Sequence, residues 1–188
     1  METCGNGALK AAEPEFSIET FPHSAIIEGE EGTGKEAFAD RIARALICKS
    51  KSAPCGLCSD CKKAEAGVHP DIIKLGAEQE LKVDEVRELR RNAYIRPNEA
   101  DVKAFIVYNC DKMNLNAQNA MLNILEEPPR GVFFLLVCEN RALLLPTVLS
   151  RCAVYRMPPP ELTDAEDDER VSGFIKALCS KSEFQFLS

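Results

Sequence analysis

Five short apolar runs, at 24–28, 71–75, 102–108, 132–138 and 153–157, alternate with helical patterns at 36–47, 83–95, 115–126 and 143–149. Strands this apolar have to be covered on both faces, and the stretches between them are long enough to cross back over the sheet. The alternation therefore predicts an α/β fold, a five-stranded parallel sheet flanked by helices. The pattern at 83–95 is the plainest, with Val83, Val86, Leu89 and Ala93 on one side and Arg87, Arg90 and Arg91 mostly elsewhere. A chain of 188 residues can fill one such core and leave a short extra element. That element is expected after Pro158, Pro159 and Pro160, where the acidic stretch 161–170 reads as a solvated hinge and 171–179 as a short helical piece.

The longest apolar runs, around 133–138 and 142–145, are far too short to span a bilayer, so a membrane protein is not expected. The formal net charge of −7 speaks against a general polyanion-binding surface and leaves nucleic-acid contact to local or shared patches. Nine cysteines make an odd count, and three of them are spaced by two residues, which is ligand spacing and implies a reducing compartment. The opening residues hold acids and no apolar core of a signal peptide, so a cytoplasmic location is expected.

Gly29-Glu30-Glu31-Gly32-Thr33-Gly34-Lys35 lies between an expected strand and an expected helix, the context of a phosphate-binding loop. Glycines there let backbone N–H groups approach phosphate oxygens, and the lysine reaches the terminal phosphates; Gly29, Gly32, Thr33, Gly34 and Lys35 are the candidate cofactor-binding residues. The next position should carry a Ser or Thr hydroxyl for magnesium, but it is Glu36. A carboxylate beside a polyphosphate costs up to ~4 kcal/mol at ~4 Å and an effective dielectric of ~20. An ATPase of this architecture also needs acids at the end of a later strand. After the run 103–107 stand Tyr108 and Asn109, neither of which replaces a carboxylate, and Asp111 falls three residues late. The loop reads as inherited but chemically impaired: no hydrolysis and no magnesium are expected, and ATP binding is doubtful.

Cys48, Cys55, Cys58 and Cys61 form C-x6-C-x2-C-x2-C. Four thiolates can close a tetrahedral shell around zinc, a structural site with no open position; the other reading is four reduced cysteines in a polar loop. His69 precedes Pro70 and the next strand, which suits a turn better than a ligand. Cys4, Cys110, Cys138, Cys152 and Cys179 read as ordinary buried or tail cysteines.

Taken together, several segments resemble one family. They are Pro22-His23, the phosphate loop, the four cysteines, Gly67-Val68-His69-Pro70-Asp71, Asn116-Ala117-Gln118-Asn119-Ala120-Met121-Leu122, Leu125-Glu126-Glu127-Pro128-Pro129 and Leu145-Pro146-Thr147-Val148-Leu149-Ser150-Arg151-Cys152. Over 21–157 the chain resembles the clamp-loader subunits of bacterial DNA polymerase III, AAA+ P-loop proteins, and within them the delta-prime type. The related gamma and tau subunits keep an intact phosphate loop and an Asp-Glu pair after the third strand. The resemblance implies a non-hydrolysing subunit that works with gamma/tau and delta subunits to place the sliding clamp on primer-template DNA. It further implies that Arg151 is an arginine finger acting on a neighbour's ATP, where a guanidinium stabilises charge developing on the terminal phosphate. A merely local pairing of Arg151 is the other reading of that residue. The expected division is a tail at 1–20, the AAA+ domain at 21–157 with its zinc module at 48–61, and a linker with part of a helical lid at 158–188. Ring assembly through a helical collar, which follows the lid in the family, is not expected of these residues alone.

Two other functions compete with this one. The chain could be an active ATPase or small-molecule kinase using Lys35 and a displaced acid such as Asp111, against which Glu36, Tyr108 and Asn109 count. A zinc module for nucleic acid is the third, against which the net charge counts.

Overall fold

The expected strands form, and they form one sheet. The structure is a computed structural model that describes residues 14–159 apart from 19, 51 and 78–80; most of the expected tail and the lid from residue 160, with Cys4 and Cys179, lie outside the described residues. Strands β1 (Ser24–Glu28), β2 (Ile72–Leu75), β3 (Lys103–Val107), β4 (Val132–Cys138) and β5 (Ala153–Arg156) lie in the order β2-β3-β4-β1-β5. All of their pairings are parallel, with Ile26 beside Leu136 and Val154, and Phe105 beside Phe134 and Ile73.

Side chains alternate between the two faces, so each face has its own core. Ile26, Phe105 and Phe134 point to one side, where Val86 and Leu89 of α3 (Val83–Ala93) and Met121 and Ile124 of α4 (Leu115–Glu126) cover them. Ile27, Ile106 and Leu135 point to the other, under Phe38 and Ile42 of α1 (Lys35–Ile47). Phe16 and Ile18, from the expected tail, pack against this second core. No helix among the described residues is long and apolar enough to cross a membrane.

Three elements differ from the sequence reading by more than one residue, each for a local reason. The helix expected to reach residue 95 stops at Ala93, where the buried Lys103 ammonium donates to the carbonyls of Asn92 (3.2 Å) and Ile95 (2.9 Å) and closes the helix end. The helix expected over 143–149 is a 3-10 turn at Arg141–Leu143 followed by α5 (Pro146–Leu149). Proline has no N–H and fits only the first helical turn, so Pro146 sets the start. The cysteine segment, expected as a loop, contains α2 (Ser59–Glu65), which begins where Cys58 Sγ accepts the Cys61 N–H.

Asp71 sits just before β2 and is fully buried. Its carboxylate accepts the N–H groups of Asn98 (2.6 Å), Glu99 (2.8 Å) and Ala100 (2.8 Å), which ties the loop after α3 to the sheet. Burial pushes its pKa up, but the three amides outweigh that and hold it below the usual 3.8.

Candidate functional site

The phosphate loop leaves β1 and opens α1, as its motif requires. Gly34 takes φ 76° at the last position before the helix, a left-handed conformation that glycine adopts without strain. At Gly29 a Cβ would lie 2.4 Å from Thr33 Oγ1 and 2.9 Å from Met157 Cβ, so no other residue fits there. The loop closes on one acceptor: the Glu30 carbonyl receives Thr33 Oγ1 (2.7 Å), the Thr33 N–H (3.3 Å) and Lys35 Nζ (3.2 Å). Lys35 is 4% exposed, and its ammonium is also 3.4 Å from the Glu36 carboxylate. The loop lysine is thus paired with the carboxylate of the residue that follows it. The adjoining cleft of about 350 Å³ carries Glu28, Glu30 and Glu139 against Arg156, whose Nε is 3.1 Å from Glu28.

The end of β3 offers no carboxylate to that loop. Tyr108 is buried, with its hydroxyl 3.3 Å from Asp40 Oδ1, and Asp40 is itself paired with Lys74 at 2.7 Å. Burial, then the Asp40 charge, pushes the phenol above its usual range, so it stays protonated. Asn109 has φ 50° and ψ 39°, and its amide donates to the Gly76 carbonyl at 3.1 Å, on the β2 side of the sheet. Asp111 Oδ2 accepts the N–H groups of Glu139 and Asn140, both at 3.2 Å. That oxygen caps the loop after β4, while Oδ1 has no hydrogen-bond partner.

Cys48, at the end of α1, meets the segment that leads into α2. The four sulfurs of Cys48, Cys55, Cys58 and Cys61 lie within 4.8 Å of one another, with Cys48 to Cys58 and Cys55 to Cys61 both 4.0 Å. A tetrahedral shell with Zn–S bonds of about 2.3 Å has sulfur-to-sulfur edges of about 3.8 Å, so the four can hold one such ion. The Cys58 and Cys61 N–H groups donate to the sulfurs of Cys55 and Cys58, each at 3.4 Å. The amides of Cys58 and Leu57 lower the Cys55 thiol to about 6, while burial raises Cys61 to about 12.

His69 stands beside this cluster and not in it. Its Nδ1 accepts the Asp71 N–H at 3.1 Å, so the neutral ring carries its proton on Nε2, 3.8 Å from Asp60. A ring used this way has no free lone pair for a metal. Asp60, Glu99 and His69 group closely, but Glu99 is taken by the Lys63 ammonium at 2.5 Å.

Arg151 follows α5 and precedes β5. Nη1 donates to the Thr147 carbonyl at 2.9 Å, and Nη2 donates to Glu126 Oε1 at 3.0 Å. The chain that enters α5 is pinned by Gln118, which is buried. Its amide donates to the carbonyls of Met113 (3.0 Å) and Leu143 (3.3 Å), and its Oε1 accepts the Leu145 N–H at 2.8 Å.

Residues 6–161 match the family described as DNA polymerase III, delta subunit. The chain belongs to the DNA polymerase III clamp-loader family. It is 36% identical over 143 residues to DNA polymerase III subunit delta' of Pseudomonas aeruginosa, covering 73% of this chain and 44% of that one. To subunit delta' of Bacillus subtilis it is 32% identical, covering 77% and 45%, and to subunit tau of Escherichia coli 31% identical, covering 76% and 22%. The chain thus spans less than half the length of these curated relatives. Among solved structures, a DNA polymerase III gamma subunit-related protein of Thermotoga maritima shares the fold, with a TM-score of 0.55 at 22% identity over 77% of this chain and 44% of that one.

In this chain the phosphate loop is one group of residues and the cysteines are a second, and the hydrogen bonds of Arg151 go to neither. Three residues that matter to the arrangement stood in family motifs without a role of their own: Asp71, Gln118 and Glu126. Gln118 had a legible signal. It is a polar residue on the helix stripe that also carries Met121 and Leu125, and a buried amide there has to find partners.

Proposed function

We propose that this chain is a non-hydrolysing, delta-prime-type subunit of the clamp loader. It works with gamma/tau and delta subunits in the cytoplasm, helps place the sliding clamp on primer-template DNA, and lends Arg151 to ATP on a neighbour. In this reading 21–157 is the AAA+ unit with the zinc module at 48–61, and 158–188 begins the lid. The observation that carries it is the end of β3: Tyr108 is spent on Asp40, and Asn109 turns away to Gly76. Metal binding and water polarisation are both lost, so a single repair does not restore turnover. Purified protein should release no phosphate from ATP and magnesium above a Lys35→Ala control, and Asn109→Glu should release none either. Turnover that Lys35→Ala abolishes would make the chain an ATPase.

The same reading gives the module one structural zinc, held by Cys48, Cys55, Cys58 and Cys61. Elemental analysis of protein purified without chelator should find one zinc per chain, and Cys61→Ser should lose it. Because protons compete for thiolates, the metal should leave on mild acidification. Hydrogen exchange after chelation should rise in α2 and spare the amides of β1 and β4. Metal-free protein with unchanged protection in α2 would remove zinc from the account.

A further inference from the structure

A guanidinium has five N–H donors, and most of those of Arg151 are already committed. Nη1 faces the Thr147 carbonyl at 2.9 Å and Ser150 Oγ at 3.4 Å, which uses both of its hydrogens; Nη2 spends one on Glu126 at 3.0 Å. Nε is buried and has no hydrogen-bond partner. A two-pronged grip on a phosphate needs two donors side by side that a ligand can reach; of the two left unspent here, one on Nη2 and one on Nε, the Nε–H is buried.

Glu126 has its own reason to hold the arginine. It is the last residue of α4, whose final turn has no basic residue, so its charge faces the negative end of the helix. Arg151 offsets that. The Glu126 side chain is 56% exposed, so it can swing into solvent when the arginine leaves without stranding a buried charge.

We infer that Arg151 is stowed: Glu126 holds it on its own subunit, and a phosphate of the neighbour's nucleotide replaces that carboxylate when the two subunits close. The inference rests on the reading of Arg151 as a residue that acts in trans. Carboxylate and phosphate oxygens are alternative acceptors for the same planar fork, so one excludes the other. The Thr147 carbonyl belongs to the turn that carries Arg151, and through Nη1 it keeps one end of the guanidinium in place during the exchange. Glu126 is therefore a positioning residue.

The test is ATP hydrolysis by the complete clamp-loader complex at the site Arg151 faces, without clamp or DNA, over a range of ATP concentrations. Glu126→Ala should raise the rate at subsaturating ATP by up to about fivefold, since exposed ion pairs are weak, and should change the saturated rate little. Glu126→Gln, which keeps the shape and removes the charge, should act in the same direction. In an Arg151→Ala background Glu126→Ala should do nothing. A Glu126→Ala rate that is unchanged or lower, or a rise that persists without Arg151, overturns the stowing. If Arg151→Ala alone leaves the rate unchanged, the in-trans reading fails and takes the stowing with it.

Discussion

Arg151→Ala, in the assembled clamp loader, is expected to slow hydrolysis at the one site it faces by roughly 10³ to 10⁵, the range for arginines supplied in trans. The loss belongs to the neighbouring subunit. Assembly should change little, and ATP binding far less than the rate, because most of what the guanidinium stabilises is charge that grows in the transition state. Removing Arg151 also frees Glu126, but that carboxylate is more than half exposed and is accommodated by solvent. Arg151→Lys should resemble Arg151→Ala more than the native protein, since one ammonium cannot offer two parallel donors to two phosphate oxygens. Single-turnover hydrolysis with the other motor sites disabled reads the effect directly, and an unchanged rate would leave Arg151 as a local partner of Glu126 and Thr147.

Asp71→Ala should be the most damaging single change to the fold outside the two cores. It leaves the amides of Asn98, Glu99 and Ala100 without their acceptor, at a cost of about 3 kcal/mol when hydrogen bonds to a charged group are lost. For a domain of this size that lowers Tm by about 6 to 12 °C. Asp71→Asn keeps one acceptor oxygen and should lose about half as much. The pH dependence has a definite sign. The folded pKa of Asp71 lies below the usual 3.8, so the unfolded chain binds the extra proton first. Its contribution is fully present above that usual value and is lost as pH falls through the folded one. The gap between the melting curves of Asp71→Ala and the native protein should therefore begin to narrow below about pH 4 and go on narrowing as the pH passes the folded value, and a gap that stays constant into strong acid would assign the loss to something other than the charge.

How far the sequence could be read depended on how local each cause was. β1 and β4 are runs buried on both faces, and α4 is framed by Asn114, whose side chain accepts the Ala117 N–H, and by Pro128 just beyond its end. Those elements carry their own boundaries. The helices α2 and α5 are too short to show a period: α2 is capped locally, but by a cysteine, which is not a usual cap signal, and the start of α5 is held by Gln118, some 27 residues before Leu145. The candidate site divides in the same way. The phosphate loop is contiguous and three of the cysteines nearly so, and spacing alone picked them out. The Arg151 partner is 25 residues away on another helix, and no pattern in the chain links the two.

Parallel strands give this subunit a direction. β1 and β5 are neighbours running the same way, with Ala25 beside Ala153 and Glu28 beside Arg156. The phosphate loop departs where β1 finishes, whereas Arg151 sits just ahead of the start of β5. The two therefore occupy opposite poles of the sheet, separated by the length of the strands, and the arginine cannot fold back onto its own loop. An Arg151 that meets a phosphate loop must therefore meet the loop of another subunit.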